Sequence, residues 1–518
     1  MPDAFKAKEL DQFINSRDRV INPFFVGREV YQKKIDKLNQ TIVQRHEENV
    51  SGVANGMTQV IYGAPGIGKS SLLEKIRQNC IDQLNNKERG PKTIPVMVND
   101  SANLSFEYLT TSIRKANNQF IPLLSFAYYK HRFLTFLQSL GNISFGGIGV
   151  GVRSKPITKP IIPKGITIIL MLDEIQSVPK DAAGVLQWLH TGSDNLPILP
   201  IMAGLSTSPG ILSEYKISRL ARDSDHPLPL LTSDEIKESF TKFVNYFNIT
   251  STPKVTNEWS ERIVDWTDGW PKHVENAQAA VSELLLDIGG DLTKVDSQMV
   301  KLRAAEICCQ YYNQRFGRYD QNPKIIGEIM AQIGLTERSW NEIASAIKSV
   351  LKKTTWVDSI TSNQFPKLNF DYLLRRGFID KYPLGKGSSS SFKCPIPSLQ
   401  SYAVAQTGTP LHVYVYEGNL TKIMDALRPS SNINTVDDWS RTPLHLSVQN
   451  DWVEITQLLL NKGADPQKRD LHNRLPFEMS KKGRETYDMI YQATHAPTTQ
   501  KLPDLNDGDD YEQSNKED

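Results

Sequence analysis

The feature that most constrains this chain is Gly63-Ala64-Pro65-Gly66-Ile67-Gly68-Lys69-Ser70, three glycines and a Lys-Ser pair at fixed spacing. Glycine lets a backbone curl until successive N–H groups face one point, and a lysine directly after the last glycine adds positive charge there. The loop follows the apolar Gln59-Val60-Ile61-Tyr62 and precedes Ser71-Leu72-Leu73-Glu74-Lys75-Ile76. Strand, loop and helix in that order form a phosphate cradle, and the helix starting near Lys69 turns the positive end of its dipole to the same anion. This context disfavours a chance match in a loop. Gly63, Ala64, Pro65, Gly66, Ile67, Gly68, Lys69, Ser70 and Ser71 are therefore expected to hold the phosphates of ATP. Lys69 is set against the β- and γ-phosphates, and Ser70 offers a hydroxyl to Mg²⁺.

A second segment, Ile168-Ile169-Leu170-Met171-Leu172-Asp173-Glu174, predicts a buried strand that delivers two carboxylates to its end. Asp173 is the candidate Mg²⁺ ligand and Glu174 the candidate general base, with Lys69 and Glu174 as the expected catalytic pair. Alone, such a strand also fits two solvated carboxylates; a phosphate loop upstream gives the pair its meaning. Strands are predicted at Gln59–Tyr62, Thr93–Val98, Thr167–Leu172 and Ile198–Gly204, alternating with amphipathic stretches. That alternation implies a three-layer α/β/α domain.

Phe25-Val26-Gly27-Arg28-Glu29 resembles the opening of AAA+ and STAND-like ATPases related to archaeal ATPases and the origin recognition complex. In that group the segment before the P-loop lies along the adenine. Thr267-Asp268-Gly269-Trp270-Pro271-Lys272-His273 resembles the Gly-x-Pro motif of their helical lid, where Lys272 or His273 would approach the phosphates; a plain helix start reads equally well. The resemblance implies a γ-phosphate sensor at Ser206 or Thr207, after Ile198-Leu199-Pro200-Ile201-Met202-Ala203-Gly204-Leu205; a strand ending in a helix cap is the competing reading. It spans residues 20–404, strong at the two nucleotide motifs and loose elsewhere. Two departures stand out. The stretch between the motifs contains Phe145-Gly146-Gly147-Ile148-Gly149-Val150-Gly151-Val152-Arg153, which lacks Gly-Lys-Ser/Thr and reads as a loop or hairpin. The arginine finger has two candidates, Arg219 and Arg222, each equally suited to a surface salt bridge.

Beyond the ATPase core the strands stop. Ser233-Asp234-Glu235-Ile236 starts a helix by a capping-type sequence, and Ile236, Phe240, Phe243, Val244 and Phe247 recur at helical spacing. Three helices, a short strand and the tip Gly385-Lys386-Gly387-Ser388-Ser389-Ser390-Ser391 then suggest a winged helix. Thr409-Pro410-Leu411-His412 recurs 33 residues later as Thr442-Pro443-Leu444-His445, and Leu475-Pro476-Phe477 is a third, worn copy. A 33-residue period with this tetrapeptide resembles ankyrin repeats, with Leu458–Asp465 as a second helix and its glycine stop. The expected organisation is an N-terminal arm (1–19), a P-loop core (20–232), a helical lid (233–320), a winged-helix-like domain (321–404), ankyrin repeats (405–495) and a disordered acidic tail (496–518).

Net charge is +2 over 518 residues, so no global field points to nucleic acid or an anionic membrane. Four cysteines, none in a zinc-like pairing, fit a reducing cytoplasm, and neither a secretory signal nor a membrane span is expected. The leading expectation is a Mg²⁺-dependent ATPase switch that binds a protein partner through its ankyrin repeats, with self-association left open. One alternative is a DNA-binding, origin-recognition-like or transcription-regulatory ATPase using Arg375, Arg376, Lys381 and Lys386 on the winged helix. The other is an ankyrin scaffold with a non-catalytic nucleotide site.

Overall fold

The computed structural model describes residues 4–15, 26–48, 56–85, 92–98, 100–120, 166–191, 196–206, 227–319, 322–353, 364–382, 391–428 and 432–495, with positions 24, 54, 208 and 212. It divides into two compact units. The first comprises Met1–Tyr311, Leu335–Lys348 and Val357–Ile396; the second comprises Tyr312–Gly334, Ser349–Trp356 and Pro397–Asp518.

The first unit opens with α1 (Ala7–Asn15), α2 (Glu29–Glu47), β1 (Gln59–Tyr62), α3 (Lys69–Asn85), β2 (Lys92–Val98), α4 (Phe106–Phe120), β3 (Ile166–Leu172), α5 (Ala183–His190) and β4 (Ile198–Gly204). The four strands are parallel, in the order β1-β4-β3-β2. All four expected strands form. β2 and β3 each begin one residue early because Lys92 pairs with Ile166 and extends their ladder. Thr167–Leu172 and the whole of β4 are buried, which the continuous apolar runs require of strands covered on both faces. Ile94, Val96, Val98, Leu170, Leu172 and Met202 form the core with Leu109 of α4 and Leu186 of α5. Each such side chain contributes about 1.5–3 kcal/mol of burial. A polar thread fixes α2 to the sheet: the Asn39 amide donates to Thr93 Oγ1 (2.8 Å) and accepts from Thr167 Oγ1 (3.0 Å).

A helical layer follows: α6 (Ser233–Tyr246), α7 (Pro253–Thr267), α8 (Pro271–Asp287) and α9 (Ser297–Phe316). The cap of α6 is Thr232, one residue before the expected start. Its hydroxyl accepts from Glu235 N (3.3 Å), while the Glu235 carboxylate accepts from Thr232 N (2.7 Å). The predicted stripe of Ile236, Phe240, Phe243 and Phe247 meets Trp259, Ile263 and Val274 in one core. Leu10 and Phe13 of α1 join that core, as does Phe24, whose ring stands edge-on to Phe13 (5.4 Å) and Phe243 (5.3 Å). The leading helix is therefore a structural member of the helical layer.

Next come α10 (Lys324–Ile333), α11 (Trp340–Lys353), α12 (Gln364–Arg376) and an antiparallel pair, β5 (Asp380–Tyr382) with β6 (Ser391–Lys393). Arg338 and Phe392 exchange two backbone hydrogen bonds of 2.8 Å, adding a bridge beside β6. The pair β5 and β6 belongs to the first unit, and α10 to the second.

The second unit continues with α13 (Pro397–Ala405), α14 (Pro410–Glu417), α15 (Leu420–Ala426), α16 (Pro443–Gln449), α17 (Val453–Asn461) and α18 (Glu485–His495). α10 lies against α13 so closely that a Cβ on Gly327 would sit 2.3 Å from Ala403 O. Gln400 Nε2 donates to two carbonyls at the end of α10, Met330 O (3.1 Å) and Gly334 O (2.6 Å). The repeats read from Thr-Pro-Leu-His are explained by their hydrogen bonds. Thr409 N and Thr442 N donate to the Nδ1 atoms of His412 and His445, and each Nε2 meets a carbonyl 29 residues onward, Arg441 O at 3.1 Å and Arg474 O at 3.3 Å. Asp437 and Arg441 form a fully buried ion pair at 2.7 Å, repeated by Asp470 and Arg474 at 2.7 Å with Arg474 at 38% exposure. The glycine stop also forms: Gly463 lies at φ 87° and donates to Leu460 O. The worn copy folds as a single 3₁₀ turn, Pro476–Met479, in which Glu478 replaces the histidine and accepts from Leu475 N. Among the described residues no helix is long and apolar enough to cross a membrane.

Candidate functional site

In a parallel sheet, every strand points its carboxyl end the same way, and ligands collect outside those ends. Here β1, β4 and β3 lie side by side and lead into Gly63–Ser70, Leu205–Ser206 and Asp173–Glu174 respectively. The loop curls as its glycines allow: Gly63, Gly66 and Gly68 take φ of 153°, 79° and 90°. α3 begins at Lys69, so its first N–H groups open onto the loop. Lys69 is 6% exposed, and its ammonium donates to Gly63 O and Ala64 O, both at 3.0 Å. A buried cation resting on the carbonyls of its own loop is a ready donor for phosphate oxygens. The loop and Lys69 therefore fit a nucleotide polyphosphate. Ser70 and Ser71 are exposed at the start of α3.

Asp173 continues β3: its N–H donates to Val98 O (3.3 Å) and its Oδ1 accepts from Glu174 N (2.9 Å). The Ser101 hydroxyl donates to its carbonyl. Glu174 then turns into the left-handed region at φ 53°, a conformation costly to a residue with a Cβ. Although solvent reaches it, the surrounding protein raises its carboxyl above the ordinary range, and neighbouring Asp173 adds to the rise. Lys69 and a hydrogen bond from Gln176 act against it. A base held at raised pKa beside a metal-type carboxylate suits activation of water.

Gln176 is a site residue that sequence patterns did not single out. Its Nε2 donates to the Glu174 carboxylate, while its Oε1 accepts from Leu205 N at 3.0 Å. It thus ties the candidate base to the end of β4, where Ser206 sits buried. Arg28 is another. The Phe25–Glu29 motif pointed to this segment, and the structure gives its arginine a role: at 3% exposure it donates to Ile67 O (3.1 Å) and Pro229 O (2.9 Å). Burial lowers its pKa, with Glu235 opposing.

The helical layer closes on the tip of the loop. Lys272 N donates to Gly66 O (3.2 Å), while the Lys272 ammonium pairs with Glu275 (2.8 Å). A Cβ on Gly66 would lie 2.6 Å from Tyr311 Oη and 3.0 Å from Trp270 Nε1, so only glycine fits there. The Trp270 indole N–H is buried and has no hydrogen-bond partner among the described residues. Lys272 and Ser206 are thus near the loop, and His273 is buried one residue farther along α8. Thr207, Arg219, Arg222, Lys386 and the glycine stretch 145–153 lie outside the described residues.

Comparison with known proteins adds a match to ankyrin repeats, in three copies over residues 394–476. The mouse (Mus musculus) 2-5A-dependent ribonuclease is 35% identical over 75 residues, 14% of this chain; the match spans 10% of that protein's length. Solved structures that resemble the chain include the ORC2 protein of Aeropyrum pernix in ADPNP-ADP complexes, at 13% identity and TM-score 0.42, covering 74% of this chain and 95% of that one. Others are a Drosophila ORC bound to DNA (12% identity, TM-score 0.37, 77% of this chain and 92% of that one) and Thermotoga maritima RuvB (14% identity, TM-score 0.32, 69% and 91%). The expected combination, a phosphate-loop α/β domain followed by ankyrin repeats, is thus present in the topology and in the repeat match.

Proposed function

We propose that this protein is a Mg²⁺-dependent ATPase switch that couples its nucleotide state to a protein partner held by the ankyrin repeats. The observation that carries this reading is the convergence of Lys69, Asp173, Glu174 and Ser206 at the carboxyl ends of three neighbouring strands. Mg²⁺ would neutralise charge on the β- and γ-phosphates. The chain's own residues do the rest. The loop N–H groups and Lys69 bind the phosphates, while Ser70 and Asp173 take the metal side. Glu174 accepts a proton from the attacking water, and Ser206 is the candidate sensor, with Lys272 presented by the lid. Arg219 and Arg222 stay as alternative arginine fingers and Thr207 as the alternative sensor. The ankyrin surface supports a protein partner; self-association and a cytoplasmic setting are compatible with it.

Two variants test the core. Lys69→Ala is expected to abolish nucleotide binding in calorimetry, whereas Glu174→Gln binds ATP and turns it over slowly. Parent-level turnover by Glu174→Gln would remove Glu174 from the role of base. The DNA reading has one observation in its favour, the exposed Arg375 and Arg376 in the last turn of α12. Salt-sensitive retention of duplex DNA by the full chain, lost in the Arg375→Ala/Arg376→Ala variant, would establish it; no retention at low salt would end it.

A further inference from the structure

Besides Asp173 and Glu174, a third carboxylate stands at the phosphate end of this site, and it comes from far along the chain. Asp380 opens β5, and its Oδ2 accepts from the Ser206 hydroxyl at 2.8 Å, while its Oδ1 accepts from Lys381 N at 2.9 Å. Burial pushes the Asp380 carboxyl up to about 6, against those two hydrogen bonds and the attraction of Lys69. Asp380 therefore sits inside the field of the phosphate-loop lysine and occupies the hydroxyl assigned above to sensing the last phosphate. An acid is out of place beside a loop built for anions, since two like charges brought together inside a protein repel each other strongly.

We propose that Asp380 is a specificity residue that discriminates nucleoside diphosphate from triphosphate, standing in for the terminal phosphate on Ser206 until a triphosphate displaces it. This rests on the nucleotide reading given above. A diphosphate leaves the Ser206–Asp380 hydrogen bond intact, so the β5–β6 hairpin stays docked at the end of β4. A triphosphate brings new negative charge to Lys69 and Ser206. The carboxylate must then leave or take up a proton, and the hairpin that carries it loses its hold on the ATPase core. Asp380 thereby favours the diphosphate, and the hairpin is the element whose docking reads the difference.

The test uses the full chain and its Asp380→Asn and Asp380→Ala variants. Dissociation constants for ADP and for a non-hydrolysable ATP analogue with Mg²⁺ are measured by calorimetry, with thermal melts as a check on folding. Removing the charge is expected to tighten the triphosphate analogue about tenfold or more, equivalent to ~1.4 kcal/mol, and to change ADP by less than about twofold. Hydrogen exchange gives an independent readout: in the parent, the amides of β5 and β6 exchange faster with the analogue than with ADP, and in Asp380→Ala they exchange fast with both. Parallel changes for the two nucleotides, or weaker binding of the analogue by Asp380→Asn, would overturn the proposal. If the parent binds neither nucleotide, or binds both equally well after Lys69→Ala, the nucleotide reading itself has failed.

Discussion

The phosphate end of the sheet and the ankyrin stack both bury charged and polar side chains, but they treat them in opposite ways. In the stack, the buried arginine and the two repeat histidines are paired with groups that the repeats supply. Arg441 meets Asp437, Ser401 and Gln449, lies over the Trp439 ring, and is 1% exposed. At the sheet, Lys69 rests on the carbonyls of its own loop, and the Trp270 N–H has no hydrogen-bond partner among the described residues. A buried cation hydrogen-bonded to neutral carbonyls can exchange them for phosphate oxygens, whereas one locked in a buried ion pair would strand its partner. The difference separates a part built to be complete by itself from a part built to be completed.

That contrast can be broken by exchanging consequences. Lys69→Ala should abolish nucleotide binding in calorimetry, the largest effect expected at the sheet. Arg441→Ala acts on the stack instead: it strands Asp437 in the interior, with an expected loss of about 3–5 kcal/mol in chemical denaturation of the repeats. Glu174→Gln comes next, slowing ATP turnover about 10²–10⁴-fold in single-turnover assays with nucleotide affinity kept. Arg474→Ala sharpens the comparison, since Asp470 is buried but water reaches Arg474; a loss smaller than that of Arg441→Ala is expected in the same denaturation. The smallest effect concerns pH. Burial lowers His412 and His445 below their ordinary value of 6.5, so the folded stack favours the neutral rings. The stability this gives is present above about pH 6.5 and is lost as pH falls through the lowered folded values. Melting curves of the full chain between pH 7 and pH 5 should show the repeat transition falling.

The two regions also differ in how far they could be read from the chain. Gly63–Ser70, the strands and the Thr-Pro-Leu-His copies were legible because each is a local pattern: a loop, an apolar run or a period of 33. The position of Asp173 and Glu174 at a strand end was legible because β3 is a buried apolar run that stops at them. Gln176 escaped notice because a glutamine two residues past the acid matters only once β4 has brought Leu205 alongside it. Asp380 escaped because Ser206 lies 174 residues earlier, and nothing in a short strand announces such a partner. Thr232 rather than Ser233 caps α6 because the reciprocal bond to Glu235 fixes the boundary, whereas composition allows either.

The histidine bonds of the stack give it a direction. His412 reaches the carbonyl of Arg441, His445 reaches that of Arg474, and at the third copy Glu478 turns its carboxylate back to Leu475 N within the same turn. The stitching runs forward and then closes on itself. At the other end, Arg441 and Gln449 reach back to Ser401 on α13, and α13 is clamped to α10. Fraying should therefore start at the C-terminal side and travel inward, so that the last helix is the first to loosen and the segment anchored on α10 the last.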